Sequence, residues 1–143
     1  MSHLIQGFNI LYGEFISKLE NIIPDPSKLS TYNNVRKVLQ KTNVRAPMQL
    51  FMIQCHPFSS YIFKRDEDYF INQFDSVNDV DIINDNFSDK FGLNEYWKEL
   101  DDSSKNAIWQ YLDSLLQLGY KAHNIEWSEN KVNTPFKTLA KID

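Results

Sequence analysis

Leu4, Phe8, Leu11, Phe15, Leu19 and Ile22 recur at intervals of four, three, four, four and three residues at the head of this chain. A helix turns once every 3.6 residues, so this spacing lays six large apolar side chains along one stripe. A strand, whose faces alternate every second residue, would scatter them over both sides. A helix with one apolar stripe has to bury it against another element. The opening segment therefore commits the fold to packing around a long helix.

The rest of the chain reads in the same period. Gly13 lies off the stripe, and Pro24 ends the first helix. Asp25-Pro26 then predicts a restart, with Asp25 as N-cap and Pro26 in the first helical position. The second helix is expected to bury Leu29, Tyr32, Val35 and Leu39 and to turn Arg36, Lys37 and Lys41 outward. Between Pro47 and Pro57, the apolar run Leu50-Phe51-Met52-Ile53 favours a buried helical turn or two. The charged junction Lys64-Arg65-Asp66-Glu67-Asp68 resembles a helix start leading into Tyr69, Phe70, Ile71 and Phe74. A further helix is expected from Val80 to Phe91, with Gly92 as terminator, followed by a short element from Asn94 to Leu100.

The clearest helix comes last. Asp102, Ser103 or Ser104 can cap it, and it should end near Gly119. Ile108, Tyr111, Leu112 and Leu115 are expected inside, with Lys105, Gln110, Asp113 and Gln117 outside. Residues from Ser128 to Asp143 are polar and broken by Pro135, so any order there must come from docking Trp127, Phe136 or Leu139. Asn-Gly and Asp-Gly hairpin turns are absent from the sequence, and only four glycines are available for tight turns. The expected fold class is all-α: one compact multi-helix domain of five to seven helices over residues 1–124, with an extended C-terminal tail over 125–143.

A chain of 143 residues with 10 Phe, 7 Tyr and 3 Trp has ample apolar surface for one core. The single cysteine, Cys55, excludes an intramolecular disulfide framework and points to a reducing compartment. No apolar run approaches the roughly 20 residues of a membrane span, and no leader pattern opens the sequence. The balance of 14 Asn, 13 Ile and 12 Lys against 4 Ala and 4 Gly favours A/T-rich codons, and so an A/T-rich source genome.

Catalytic patterns are sparse. No phosphate-cradling glycine loop occurs. His3, His56 and His123 lack the spacing of a helix-borne metal site. Cys55 and His56 are neighbours whose side chains diverge on a helix, and they read as a buried thiol beside a boundary histidine. The series Asp75, Asp79, Asp81, Asp85 and Asp89 fails as a calcium loop, because counting from Asp79 places Ile83, Asn84 and Lys90 where an oxygen ligand, a glycine and a glutamate are required. Glu67 and Asp68 have no supporting partner for acid–base work. No catalytic residue, metal site or cofactor is expected.

Residues 94 to 119 resemble the C-terminal signature of a family of short, mostly helical proteins from nucleocytoplasmic large DNA viruses. In that signature a Trp-x-x-Leu turn and a Ser-rich cap precede an Ile-Trp-x-Tyr-Leu-x-x-Leu helix. The matching residues are Trp97, Leu100, Ser103, Lys105, Ile108, Trp109, Tyr111, Leu112 and Leu115. A looser likeness runs back through Glu67–Phe70 and the first helix. The resemblance implies a viral, mostly helical protein and transfers no catalytic residue. Trp97 and Trp109 read as core anchors.

Charge is distributed unevenly. Residues 1–65 carry a net +5, residues 66–104 a net −10 and residues 105–143 a net +1. Either the basic second helix neutralises the acidic segment within the domain, or the two act as docking patches. The leading expectation is a non-enzymatic viral protein acting through protein–protein contact or self-association, in the host cytoplasm, the virus factory or the virion. Asp79, Asp81, Asp85 and Asp89 are its candidate partner-binding residues. The alternative is a nucleic-acid-binding accessory protein using Arg36, Lys37, Lys41 and Arg45 on phosphates, against which stand the acidic total and the lack of a named nucleic-acid-binding motif. No membrane partner is expected.

Overall fold

The stripe on the first helix, α1 (Ser2–Ile22), packs as its spacing predicts, but rotated by about one position: Ile5, Phe8, Tyr12, Phe15, Ile16 and Leu19 are buried, while Leu4, Leu11 and Ile22 sit at the edge of the same core. The computed structural model describes residues 2–68 and 93–142. The expected helix over 80–91, its Gly92 stop and the continuation towards Phe74 lie outside the described residues. The start of the latter is present: Glu67 and Asp68 are helical, and Asp66 Oδ1 accepts from the Asp68 N–H at 3.1 Å.

Helix α2 spans Ser27–Thr42 and starts one residue later than its sequence suggests. Pro26 is the N-cap residue, while Asp25 Oδ1 accepts from the Ser27 N–H at 3.2 Å. Helix α3 (Ala46–Cys55) is the expected helical run between Pro47 and Pro57, with Phe51, Met52 and Cys55 buried but Leu50 exposed; a 3-10 turn (His56–Phe58) and α4 (Ser59–Phe63), which buries Ile62, follow it.

After the undescribed stretch come α5 (Leu93–Tyr96), a 3-10 turn (Trp97–Glu99) and the long α6 (Asp102–Ala122). The cap of α6 is Asp101 rather than Asp102, Ser103 or Ser104. Its carboxylate accepts from the Ser104 N–H at 2.7 Å, and that bond holds the carboxyl below its ordinary range. Ile108, Leu112 and Leu115 are buried, with Tyr111 at the margin and Gln110 and Gln117 exposed. Gly119 does not end this helix. It faces Met52, and a Cβ there would lie 2.6 Å from Met52 Cγ, so α3 and α6 approach too closely for any larger residue.

The core is the sheath around α1: α6 makes its most extensive contact, and α2 and α3 close the other side. Phe8, Tyr12 and Phe51 form a mutual aromatic cluster with centroids 5.3–5.4 Å apart, and Trp97 meets Trp109 edge-on at 5.2 Å. The tryptophans are core anchors, as expected. All regular structure among the described residues is helical, and the domain is a single compact all-α unit.

The C-terminal segment runs back over this domain. It forms a 3-10 turn (Glu129–Lys131) and α7 (Phe136–Ala140). Two of the three expected anchors hold it: the Trp127 indole N–H donates to Ser59 Oγ at 2.8 Å, and Phe136 is buried against His56, Tyr120 and His123. His56 is no boundary residue. It is fully buried and links α6 to this segment.

Candidate functional site

Helix α2 keeps Leu29 buried and Lys37 and Lys41 outward, as its sequence suggests, but departs from the expected pattern at Val35 and Arg36. Leu29, Asn33 and Arg36 form its buried row, at helical intervals, whereas Val35 is 51 % exposed and Val38 is 62 % exposed. The expectation that Val35 is buried and Arg36 is outward is therefore corrected. The row that contains Leu29 and Tyr32 also contains Asn33, Arg36 and Gln40, and these polar side chains satisfy one another. Arg36 Nε donates to Asn33 Oδ1 at 3.0 Å, and Nη1 donates to Gln40 Oε1 at 2.9 Å. The guanidinium carbon lies 5.9 Å from the centre of the Tyr12 ring, a cation–π contact.

Arg36 borders a cleft of about 470 Å³ between α1 and α2. Asn9, Ile10 and Gly13 form one wall, and Arg36, Lys37, Gln40 and Lys41 form the other. Three of the four cationic residues expected to act together therefore do meet. Arg45 is exposed on the turn to α3 and is not part of the cleft.

The electrostatics of this cleft are unbalanced. Arg36 keeps only 7 % of its surface exposed, yet its hydrogen-bond partners are neutral amides. Among the described residues the ion pairs are Lys64–Glu129 and Lys105–Glu67, and no carboxylate lies within 4.0 Å of Arg36. Tyr12 does not neutralise it. Burial, reinforced by the neighbouring Tyr32 hydroxyl at 2.8 Å, pushes the Tyr12 phenol well above its ordinary value, so it offers a neutral π face. The opposite wall has a matching deficiency. Asn9 Nδ2 donates to the Val44 carbonyl at 3.0 Å, but the buried Asn9 Oδ1 has no donor among the described residues. Buried charges are ordinarily paired and buried acceptors ordinarily bonded.

The other candidate chemistry resolves into structure. Glu67 Oε1 accepts from Trp97 Nε1 at 2.8 Å and from Lys105 Nζ at 2.7 Å, which fastens the start of the 67–68 turn to α6. Cys55 is buried, and His56 Nδ1 faces Tyr120 rather than the thiol. No group of three or more metal-ligating side chains is gathered among the described residues. No described helix is long and apolar enough to cross a membrane. Asp79, Asp81, Asp85 and Asp89 lie outside the described residues.

Sequence reasoning missed Asn9, Gly13 and Gln40. Asn9 sits one residue beyond Phe8 in a helix read for its apolar stripe. Gly13 reads only as a weak point in that stripe. The available signal was the spacing Asn33–Arg36–Gln40, which places three hydrogen-bonding side chains on one helical face. Comparison with protein-family models, curated proteins and solved structures finds no match for the chain.

Proposed function

We propose that this chain is a non-enzymatic protein of a large DNA virus that acts by docking a protein partner on the α1–α2 face, in the host cytoplasm, the virus factory or the virion. The viral part of this reading rests on the resemblance carried by Trp97 to Leu115. The docking part rests on one observation: α1 exposes 65 % of Ile10 in the wall of a basic cleft, while α2 turns Val35 and Val38 to solvent on its outer side. A large apolar side chain exposed in the wall of a charged cleft marks a surface that a partner covers. Helix α2 carries Lys28, Arg36, Lys37 and Lys41 and no acidic residue, so the complementary partner is an acidic segment with interspersed apolar side chains.

A nucleic-acid duplex fits this face less well. Val35 and Val38, exposed on the outer side of α2, offer nothing to phosphates, and the acidic total of the chain opposes a polyanion. The test places a photo-crosslinking amino acid at Val38 in the full chain expressed in host cells, with Gln117 on α6 as the control position. The expected product is a protein adduct at Val38 only, formed through an acidic segment of the partner and lost on Lys37→Glu. Adducts to nucleic acid instead, or equal adducts at both positions, would overturn the reading.

A further inference from the structure

The α1–α2 cleft is walled by a cation with no carboxylate within 4.0 Å among the described residues, and by Asn9, whose buried Oδ1 has no donor among them. We propose that Arg36 is the anchor of a carboxylate-binding site in this cleft, which takes an Asp or Glu side chain of an extended peptide segment. This inference rests on the docking reading above and specifies its anchor.

Arg36 Nε and Nη1 are held by Asn33 and Gln40, which fixes the plane of the guanidinium and leaves the Nη2 edge, in the wall of the cleft, without a hydrogen-bond partner among the described residues. A guanidinium held in place by neutral amides keeps its full charge and loses little freedom when an anion arrives. Lys37 and Lys41, on the same wall, add long-range attraction for an acidic chain. Gly13 keeps the approach open. A Cβ there would lie 3.8 Å from Arg36 Nη2, in ordinary contact with it, so any side chain at 13 would cover part of the charged edge.

Asn9 Oδ1 decides between anions. It is an acceptor, and the Asn9 side chain is oriented by its bond to Val44. A peptide offers a backbone N–H beside its carboxylate and can meet both needs. Inorganic phosphate and a phosphodiester backbone bring acceptors to a wall that already has one to spare.

The experiment titrates the full-length, ¹⁵N-labelled chain with the blocked peptide acetyl-Leu-Glu-Asp-Leu-Glu-amide, its Gln/Asn counterpart and inorganic phosphate. The expected result is a saturable shift of the Arg36 Nε–H, the Asn9 side-chain amide and the Gly13 backbone amide with the acidic peptide alone. Arg36→Met, which keeps the aliphatic length over Tyr12, should weaken binding about tenfold or more. Gly13→Ala should weaken binding several-fold without lowering the thermal midpoint, an outcome that a purely structural role for Arg36 does not produce.

Equal binding of the Gln/Asn peptide, stronger binding of phosphate, or shifts confined to Lys37 and Lys41 and indifferent to both variants would overturn the assignment. Crosslinking from Val38 that persists in Arg36→Met, with no peptide shift at Arg36, would sink this anchor and leave the docking reading standing. Loss of specific crosslinking with the peptide titration intact would do the reverse.

Discussion

His56 and Tyr120, 64 residues apart in the chain, share a 2.6 Å hydrogen bond between Nδ1 and the phenolic hydroxyl inside the core. The other ring nitrogen fixes the direction of that bond. His56 Nε2 lies 3.0 Å from the Lys131 carbonyl and 2.9 Å from the Thr134 carbonyl, and carbonyls only accept. In the neutral imidazole Nε2 therefore carries the proton, Nδ1 accepts, and Tyr120 donates. Burial pushes the Tyr120 phenol up to about 12, so it retains the proton it gives. Tyr120→Phe removes the hydroxyl that partners the buried Nδ1, at a cost of about 1–3 kcal/mol. Urea unfolding near neutral pH checks it. A midpoint matching that of the parent chain would mean that water reaches His56.

Phe136 closes the other side of the same imidazole, with its ring centroid 5.9 Å from that of His56. It is the buried residue of the five-residue α7, which is too short to hold itself together without tertiary contacts. Phe136→Ala should cost about 3–5 kcal/mol and release the segment from its dock. Limited proteolysis after Asn124 should then quicken while the helical spectrum of α1 to α6 persists. Unchanged proteolysis would show that Trp127 alone holds the segment.

Periodicity made the all-α class legible, because three segments repeat at 3.6 residues and burial at Phe8, Phe15, Leu112 and Leu115 follows from spacing alone. The face of α2 was not legible. A pattern read by hydrophobicity places Val35 inside and Arg36 outside, and the packing of Arg36 over Tyr12 on α1, supported by Asn33 and Gln40 on its own helix, reverses that choice. His56 was misread for the same kind of reason. Its partners Tyr120, Lys131 and Thr134 lie 64 to 78 residues away, beyond any local signal. Of the cleft, the clustering of Arg36, Lys37 and Lys41 was visible in the sequence. The contribution of α1 was not, since Asn9 and Gly13 carry no pattern that points across to another helix.

Two glycines in long helices should respond to the same substitution with opposite sign. At Gly13 the nearest atom to an added methyl is Arg36 Nη2 at 3.8 Å, so Gly13→Ala gains up to about 1 kcal/mol of helix propensity. At Gly119 the methyl would collide with the buried Met52 side chain, and overpacking costs of about 1–3 kcal/mol outweigh the same gain. Gly119→Ala should therefore destabilise the domain, and pairing it with Met52→Ala should recover part of the loss. Additive effects in that double-mutant cycle would mean that α3 and α6 are not in contact there.

Glu67 provides a pH-dependent tie. Its bonds from Lys105 first, and from Trp97 second, hold the carboxyl below its ordinary value of 4.5. The unfolded chain lacks these bonds and titrates at the ordinary value. The folded state is therefore favoured by ionised Glu67 above that value, and the advantage fades as pH falls through it towards the lower folded value. Because Glu67 is about half exposed, solvent screens the pair and the effect is small. Glu67→Gln keeps an oxygen for the Trp97 indole and removes only the charge. Its urea midpoint should lie slightly below that of the parent chain near neutral pH, and the two should converge on acidification below the ordinary glutamate range. Raising salt to about 0.5 M at neutral pH should narrow the gap as well, because the Lys105 contribution is screened while the indole bond remains. A gap that persists unchanged through acid would show that the carboxylate takes no part in holding the 67–68 turn to α6.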